Sequence, residues 1–465
     1  MKFGGTSVGD ASAIDRAAGI VARSREDWPR LVVVLSAMAG VTDLLLDTAA
    51  EAGSGQGESI AATAETLRER HTDVLAALIG DQDARVAVER EVEGLVDEFA
   101  RLCRAIAVLG ELTPRALDAV ASIGERLSVR VFQAVLVERG VPCEFYEATE
   151  LIVTDANFGA AHPDLEASAG QLTRRLVPGL EAGRVAVVTG FIAATPQGVT
   201  TTLGRGGSDY SAAILGAALS AEEVWIWTDV DGVMSADPRL VREARTIPQL
   251  SYREIAELAY FGAKVVHPKT IRPVIEAGIG LRVCNTFNPD HPGTLLVSDH
   301  PEPENGSPKA VTVIAGQRLV TVEGRGMLGV PGVAARTFGA VAGTGTSVPL
   351  ITQASSEQSI CFAVPAEATE QVIRSLEAAF SAELAQRDID RIWATEEVVI
   401  VTVVGAGMRN TPGIAGKIFS ALGASGANVI AIAQGSSEVS ISLVVLESDA
   451  DRALQALHPL TLDGG

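Results

Sequence analysis

Hydrophobic residues in the N-terminal part of the chain form short apolar runs separated by amphipathic stretches. Runs of mainly aliphatic residues predict buried strands at residues 31–36, 185–191, 223–228 and 281–285. Residues 59–138 form a long, helix-periodic stretch with interleaved Glu and Arg, which predicts a helical layer. This alternation is typical of an α/β domain in which helices cover a mostly parallel sheet. In such a fold, ligands bind at the carboxyl ends of the strands.

The C-terminal part of the chain contains an internal repeat. The segment VTVEGRGMLGVPGVAARTF from Val320 matches VTVVGAGMRNTPGIAGKIF from Val401. Each copy predicts a βαββαβ domain of the ferredoxin-like type. The second copy leaves little room for its last strand, whereas a spare strand, VTVIAG, occurs at residues 311–316. We therefore expect the first copy to be inserted into the second.

These patterns predict the limits of the domains. Residues 1–298 would form the α/β domain, and residues 299–310, which include three prolines, would form a linker. The first small domain would comprise residues 317–395. The second would combine residues 311–316 with residues 396–465.

Composition narrows the range of partners and locations. The formal net charge of −21 argues against nucleic acid, and any anion site here needs its own Lys and Arg residues. The four cysteines are far apart and have no C-x-x-C spacing, so neither a disulfide framework nor a zinc site is predicted. No apolar run approaches the length of a membrane span, and no signal peptide is recognised. We expect a cytoplasmic protein without membrane or nucleic-acid partners.

A glycine-rich segment, TTLGRGGSDYS at residues 201–211, precedes an apolar, helix-forming run. Its glycines allow backbone N–H groups to point inward, and a helix opening at Ser208 and Asp209 turns its positive end toward an anion. The segment predicts an anion site with a carboxylate inside it. A tight strand-to-helix turn with Ser208 as an ordinary N-cap fits the same residues.

Two other strand-to-loop junctions near the N-terminus carry polar residues. KFGGTSV places Lys2 beside the turn at Gly4 and Gly5, where N–H groups can face phosphate. In LSAMAGVTD, Thr42 follows a small-residue turn and could contact a ligand or cap a helix.

Two later segments carry residues that could bind a nucleotide. WTDVDGVMSADPR places Thr228 and Asp229 at a strand end and Arg239 shortly after it, although its Asp-Gly pair alone would indicate only a turn. FGAKVVHPKTI offers Lys264 and Lys269, each of which could be a phosphate ligand or a solvated charge.

Together, these segments resemble the aspartate kinases of the amino acid kinase family. The family signatures KFGGTSV, GRGGSD, WTDVDG, DPR and FGAKVVHP occur in the family's order, and a pair of modules similar to ACT regulatory domains follows. The resemblance covers essentially the whole chain and implies a three-layer αβα kinase domain followed by two ferredoxin-like ACT domains. It also implies phosphorylation of the β-carboxylate of L-aspartate to 4-phospho-L-aspartate by ATP with Mg²⁺. That reaction is the first step of lysine, threonine and methionine biosynthesis.

The resemblance implies how phosphoryl transfer would be catalysed. Lys2 and the N–H groups of Gly4 and Gly5 would bind the transferring phosphoryl group, with Lys2 stabilising its charge. Asp209 would orient Lys2. It need not act as a base, because a carboxylate acceptor is already ionised at neutral pH.

The resemblance also assigns the binding residues. Arg205 can bind the α-carboxylate of aspartate with two hydrogen bonds, Glu125 would pair with the α-ammonium, and Thr42 and Ser208 would donate or accept further hydrogen bonds. The family's ATP contacts fall on Lys2, Gly4, Gly5, Thr228, Asp229, Met234, Arg239, Lys264 and Val265. At Met234 some members carry Tyr, so an aromatic contact with the nucleotide is not expected here. No resident metal site is implied.

The first strand departs from the family pattern. Only Met1 precedes Lys2, whereas members of the family usually carry several apolar residues before the lysine. We expect either a trimmed start or a shortened strand, and we favour trimming.

The paired modules imply feedback control by an end-product amino acid. LITQASSE with Gln353 and AIAQGSSE with Gln434 resemble the threonine-responsive kinases more than the lysine-responsive ones. We therefore expect L-threonine as the effector, with lysine as the second candidate. ACT modules usually pair across subunits, which implies a homodimer or a higher assembly.

Two other functions fit parts of the pattern. A related amino acid kinase acting on another acidic substrate would share the fold and the nucleotide site, but should lack the combination of KFGGTSV, GRGGSD and paired ACT modules. A catalytically inactive, amino-acid-sensing protein would not need Lys2, Glu125, Arg205 and Asp209 together.

Overall fold

The computed structural model describes residues 1–261, 266, 268–298, 307–327, 329–353, 358–435 and 439–462. By their contacts, the residues group into two compact units. The first unit comprises Met1–Val233, Pro248–Leu250 and Val266–Ser298. The second unit comprises Met234–Ile247, Ser251–Val265 and Asp299–Gly465.

The helices are α1 (Ala11–Asp27), α2 (Val41–Gly53), α3 (Ser59–Leu78), α4 (Gln82–Leu109), α5 (Pro114–Glu138), α6 (Leu165–Arg175), α7 (Val177–Glu181), α8 (Gly207–Ala218), α9 (Tyr252–Tyr260), α10 (Pro268–Glu276), α11 (Val333–Ala342), α12 (Thr369–Ala379), α13 (Ser381–Gln386), α14 (Ile414–Ser425) and α15 (Ala450–Leu457). Within the described part of the chain, none of them is long and apolar enough to cross a membrane.

The strands are β1 (Lys2–Phe3), β2 (Val32–Leu35), β3 (Cys143–Tyr146), β4 (Val153–Thr154), β5 (Pro163–Asp164), β6 (Val185–Thr189), β7 (Ile192–Ala194), β8 (Thr200–Thr202), β9 (Glu223–Thr228), β10 (Gln249–Ser251), β11 (Gly280–Asn285), β12 (Thr294–Val297), β13 (Ala310–Glu323), β14 (Ile351–Gln353), β15 (Ser359–Pro365), β16 (Arg391–Val404), β17 (Val429–Gln434) and β18 (Ser440–Leu446).

The main sheet of the first unit is mostly parallel. Among the described residues its strand order is β10-β12-β11-β9-β1-β2-β6-β3. The short β1 lies between β2 and β9, and Lys2 aligns with Val34 and Ile226. Phe3 is completely buried and stacks on Trp227, with ring centroids 5.8 Å apart. This packing fixes the backbone that presents Lys2 at the carboxyl edge of the sheet.

Helices α3, α4 and α5 form the layer predicted for residues 59–138. Helix α5 begins where Thr113 caps the amide of Ala116 and Pro114 takes the first turn, a position that tolerates proline. Apolar residues of all three helices, such as Leu67, Phe99 and Phe132, join one buried core with the sheet. Most of α5 is buried, and its buried residues include the two carboxylates Asp118 and Glu125.

A second, four-stranded sheet in the first unit leads into the glycine-rich segment. Its order is β5-β4-β7-β8, and Thr202 at the end of β8 aligns with Ile192 of β7. The chain then passes through residues 203–206 into α8. The sheet therefore fixes the first two residues of the glycine-rich segment, Thr201 and Thr202, which belong to β8.

The second unit contains an antiparallel sheet with the order β14-β15-β13-β16-β18-β17. Residues Ala310–Ile314 of β13 pair with Ile400–Val404, while Gln317–Glu323 pair with β15. Val311 shares a core with Ile418 and Leu454, whereas Val320 shares a core with Phe362 and Leu376. The α/β class and the later antiparallel ACT-like sheet agree with the fold class predicted from the sequence.

Helix α9 also belongs to the second unit. It begins with a capping box in which Ser251 and Glu254 satisfy each other's backbone amides. Glu254 also accepts from Lys309 Nζ at 3.0 Å and from the N–H of Ala406 at 2.7 Å. The hydroxyl of Ser440 donates to Glu257 at 2.6 Å. These bonds tie α9 to the strands of the antiparallel sheet.

Candidate active site

A cavity of about 670 Å³ opens at the carboxyl ends of the central strands in the first unit. It contains most of the residues predicted to bind substrate or phosphoryl group, namely Lys2, Gly5, Thr42, Glu125, Arg205, Ser208 and Asp209. They come from β1 and the turn after it, the start of α2, the middle of α5, the segment between β8 and α8, and the first turn of α8. A smaller cavity of about 280 Å³ lies by the starts of β2 and β9, where α/β sheets do not usually bind ligands.

Lys2 and Asp209 form an ion pair inside this cavity. Lys2 Nζ lies 2.7 Å from Asp209 Oδ1, and the two side chains are 11% and 16% exposed. Asp209 lies in the first turn of α8, where the positive end of the helix stabilises its carboxylate, and the carboxylate in turn orients the ammonium group. The pair has the geometry predicted for a lysine oriented by a carboxylate.

The glycine turn after β1 differs in detail from its predicted role. The N–H of Gly4 donates to the carbonyl of Trp227 at 3.2 Å, which anchors the turn to the end of β9. In this conformation Gly4 cannot offer the same N–H to a phosphate. Gly5 opens a short 3-10 turn, Gly5–Val8, and the first amides of such a turn have no partner within it. The Gly5 amide therefore suits phosphate better than that of Gly4.

Two glycines explain how the segment between β8 and α8 folds. Gly206 caps α8 in the left-handed region, with φ of 70°, which residues with a Cβ rarely adopt. A Cβ on Gly207 would lie only 2.6 Å from the ring of Phe191. Ser208 lies inside α8, so its interpretation as an ordinary N-cap is wrong. Thr42 likewise follows the true N-cap, Gly40, and lines the cavity.

Glu125 is a buried carboxylate with an unused acceptor. It is 3% exposed, and Oε1 accepts the N–H of Ala37 at 3.2 Å. Within the described part of the chain, Oε2 has no hydrogen-bond partner. Desolvation raises the pKa of Glu125 to about 8, against the opposing effects of the Ala37 amide and of Lys2. A cationic ligand in the cavity would supply the missing partner.

Asp118 also lines this cavity, and sequence reasoning missed it. It is 2% exposed, accepts the backbone N–H groups of Gly159 and Thr202 at 3.0 Å each, and accepts the Thr202 hydroxyl at 2.7 Å. Burial raises the pKa of Asp118, while these three hydrogen bonds lower it. The available signal was its spacing of two helical turns from Glu125 on the same face of α5.

The predicted nucleotide residues fall in both units. Thr228 is the last residue of β9 in the first unit and Asp229 follows it, and the Thr228 hydroxyl donates to Asp229 at 3.2 Å. Met234 and Arg239 belong to the second unit. Arg239 is 82% exposed and pairs with Asp237 at 2.6 Å. Lys264 and Val265 lie outside the described residues.

The predicted effector residues end two edge strands of the second unit. Gln353 is the last residue of β14, and Gln434 is the last residue of β17. Both side chains are exposed. Ile351 and Ile432 on the same two strands are also about half exposed. These edges carry both polar groups for a ligand and apolar groups for packing.

Two protein-family models match this chain. The model of the amino acid kinase family matches residues 1–285, and the ACT domain model matches residues 320–380 and 401–459. The chain therefore belongs to the amino acid kinase family, in an arrangement with two ACT domains.

Relatives narrow the family to the aspartokinases. The bifunctional aspartokinase/homoserine dehydrogenase 1 of Zea mays is 39% identical over 464 residues, which span 98% of this chain and 50% of that protein. The lysine-sensitive aspartokinase 3 of Escherichia coli is 34% identical over 98% of this chain and 97% of its own length. The chain spans about half the length of the bifunctional relatives that it matches.

Solved structures agree with this grouping. E. coli aspartokinase III in complex with aspartate and ADP, in its R-state, has a TM-score of 0.77 at 31% identity, covering 99% of this chain and 98% of that one. The same enzyme with lysine and aspartate, in its T-state, has a TM-score of 0.80 at 32% identity with the same coverage. The resemblance to aspartate kinases inferred from the motifs is thus confirmed over the whole chain.

Proposed function

We propose that this protein is an aspartate kinase that transfers the γ-phosphoryl group of MgATP to the β-carboxylate of L-aspartate. The observation that carries the proposal is one cavity containing the Lys2–Asp209 ion pair, the Arg205 guanidinium and the open carboxylate oxygen of Glu125. Aspartate presents the complementary groups, two carboxylates and an ammonium. The complex of E. coli aspartokinase III with aspartate and ADP supports the same choice of substrates.

In this mechanism, Arg205 and Glu125 fix the amino-acid end of aspartate. Arg205 binds the α-carboxylate and Glu125 the α-ammonium, while Thr42 and Ser208 add hydrogen bonds to the substrate. Their combined effect is to hold the β-carboxylate in one orientation. Alignment of this kind is a major part of catalysis in phosphoryl transfer.

The β-carboxylate then attacks the γ-phosphorus. A bond forms from the carboxylate oxygen to phosphorus, the bond from phosphorus to the β,γ-bridging oxygen breaks, and ADP leaves with the electron pair. No proton is removed from the acceptor, so Asp209 holds Lys2 in place rather than acting as a base. Lys2 and the amide of Gly5 stabilise the charge on the transferring group.

For the nucleotide, we propose binding by Thr228, Asp229, Met234, Arg239, Lys264 and Val265. Thr228 and Asp229 support this role through their position at the carboxyl end of β9. Mg²⁺ accompanies ATP as part of the substrate. Gly4 contributes by anchoring the turn after β1 rather than through its N–H.

We further propose feedback control through the ACT domains, with L-threonine as the effector and L-lysine as the second candidate. The exposed Gln353 and Gln434 would contact the effector, and the exposed edges of β14 and β17 would pair across a homodimer or larger assembly. The strand pairings of β13 support the predicted limits, with residues 311–316 and 396–465 as one domain and residues 317–395 inserted. A cytoplasmic location stays a prediction.

The test is ADP release from MgATP in the presence of aspartate, glutamate, N-acetylglutamate or no acceptor, with hydroxylamine trapping the acyl phosphate. We expect turnover and a hydroxamate with aspartate alone, and inhibition when threonine is added. Glutamate as the preferred acceptor, or no turnover with any acceptor, would contradict the proposal. Inhibition by micromolar lysine with no effect of threonine would reverse only the choice of effector.

A further inference from the structure

Helix α5 carries two buried carboxylates that face the same cavity. Asp118 and Glu125 are seven residues apart, which places them about 10 Å apart along one face of the helix. Each accepts backbone amides from residues that line the cavity: Glu125 from Ala37, and Asp118 from Gly159 and Thr202. Helix α5 therefore fixes the cavity lining at three places, namely Ala37, Gly159 and Thr202.

The hydrogen bonds to Asp118 come from residues beside the N-terminal part of the glycine-rich segment and within it. Oδ2 accepts the amides of Gly159 and Thr202, and Oδ1 accepts the Thr202 hydroxyl. Thr202 is the last residue of β8, and Arg205 follows three residues later. Strand pairing constrains the preceding residues, but the segment from Leu203 to Gly206 lies outside any helix or strand.

Gly159 connects the same carboxylate to the segment from the other side. The carbonyl oxygen of Gly159 would lie 3.1 Å from a Cβ on Gly204, so the two backbones are in close contact. Ala161 also donates its N–H to the carbonyl of Thr202 at 2.9 Å. Asp118 thus holds both Thr202, which immediately precedes residues 203–206, and the backbone at Gly159, which packs against Gly204.

We propose that Asp118 is a positioning residue for the Arg205 guanidinium, acting on aspartate affinity through Thr202 and Gly159. This inference rests on the proposed function, in which Arg205 binds the α-carboxylate of the substrate. Both carboxylate oxygens of Asp118 accept hydrogen bonds from the protein. Glu125 differs, because its Oε2 has no hydrogen-bond partner among the described residues. Its contribution is the placement of the loop.

The variants Asp118→Ala and Asp118→Asn separate this role from general stability. Asparagine can retain all three hydrogen bonds: its oxygen accepts the two amides, and its NH₂ donates to the Thr202 hydroxyl, which then acts as acceptor. Alanine retains none and leaves two amides unpaired. Steady-state kinetics with the full chain should show the aspartate KM rising about tenfold or more in Asp118→Ala, with the MgATP KM within about twofold. Asp118→Asn should stay within about threefold of the original protein.

Hydrogen exchange supplies a measurement that does not depend on turnover. Amides in residues 157–161 and 200–207 should exchange faster in Asp118→Ala than in the original protein, and at the original rate in Asp118→Asn. Ser122→Ala is the matched control, because the hydrogen bond of the Ser122 hydroxyl among the described residues is to the carbonyl of Ala119 in the same helix, at 2.7 Å. It should change neither exchange in these segments nor the aspartate KM.

Thr202→Val covers the case in which Asp118→Ala does not fold. It removes one of the three donors, and the aspartate KM should rise about threefold, whereas Thr202→Ser should leave it unchanged. Equal rises in both KM values, an Asn variant as impaired as the Ala variant, or unchanged exchange would each overturn the inference. If the original protein has no aspartate-dependent turnover, the proposed function fails, and exchange alone decides whether Asp118 fixes the loop.

Discussion

The two compact units each contain a buried glutamate near the start or middle of a helix, and the two side chains are bonded very differently. Glu254 of the second unit is completely buried and accepts from the Ser251 amide, Lys309 Nζ and the Ala406 amide. Glu125 of the first unit is almost as buried, but accepts only from Ala37 and leaves one oxygen unpartnered within the described residues.

From this difference we interpret Glu254 as a structural carboxylate and propose that Glu125 binds a ligand. Burying a charged group is costly unless hydrogen bonds and an opposite charge compensate. Glu254 has this compensation within the protein. Glu125 lacks part of it and faces a cavity, so a bound ammonium group would complete its bonding. The cost of leaving Glu125 incomplete in the free protein is consistent with a role in binding.

The largest effect should come from Asp209, which shares the cavity with Glu125. In Asp209→Ala, Lys2 loses the carboxylate 2.7 Å away that orients it. We expect kcat to fall about 10³-fold, with the Kd for ATP changed by less than about threefold. Steady-state kinetics and calorimetric titration with an ATP analogue would measure the two quantities. Asp73→Ala, at an exposed position of α3, is the control, and a parallel loss of ATP binding would make the segment a nucleotide site instead.

Glu125→Gln should have the next largest effect. The amide keeps the shape of the side chain but removes the charge that pairs with the substrate ammonium. We expect the aspartate KM to rise about 100-fold, with a smaller change in kcat. Thermal unfolding should show no loss of stability, because the variant removes a desolvated carboxyl. A large drop in stability with an unchanged KM would place Glu125 in the same class as Glu254.

Glu254→Ala should have the reverse outcome. It leaves the amides of Ser251 and Ala406 without their acceptor, while Lys309 is about one-third exposed and is partly screened by solvent. We expect the unfolding free energy of the second unit to fall by about 2 kcal/mol, measured by urea denaturation. Below the unfolding transition, the aspartate KM should stay within about threefold. Unchanged stability would show that its hydrogen bonds contribute little.

Much of this arrangement could be predicted from the sequence because strong local patterns determine it. The apolar runs around Val33 and Val187 and the period of residues 59–138 predicted the sheet and its helical layer. The duplicated segments also predicted the inserted strand pairing of β13. Lys2, Arg205 and Asp209 line one cavity, and they could be singled out from the sequence because their motifs place charged residues beside glycines.

The rest depends on tertiary contacts that leave no local pattern. Asp118 looks like any polar residue of an amphipathic helix until Thr202 and Gly159 are brought to it. The amide of Gly4 was assigned to phosphate because a glycine turn does not reveal that Trp227 accepts its N–H. Nor does sequence periodicity show that α9 packs with the antiparallel sheet of the second unit.

The smallest expected effect concerns pH. Folding raises the pKa of Glu125 from 4.5 to about 8, so the folded state keeps a proton that the unfolded chain releases above pH 4.5. The contribution of this residue to stability therefore falls as the pH rises through that interval, and Glu125→Gln should remove the slope. Aspartate affinity should run the other way, weakening by at most tenfold per unit as the pH falls below 8. A pH-independent aspartate Kd would contradict this expectation.

Proton release on aspartate binding tests the central claim most directly, since Glu125 must ionise when it pairs with the substrate ammonium. Calorimetric titrations at pH 7 in two buffers of different ionisation enthalpy would count the protons. With a pKa of about 8 for Glu125, the original protein should release about 0.9 proton per aspartate bound, and Glu125→Gln should release none. Equal proton counts for the two proteins would contradict the claim that aspartate binding ionises Glu125.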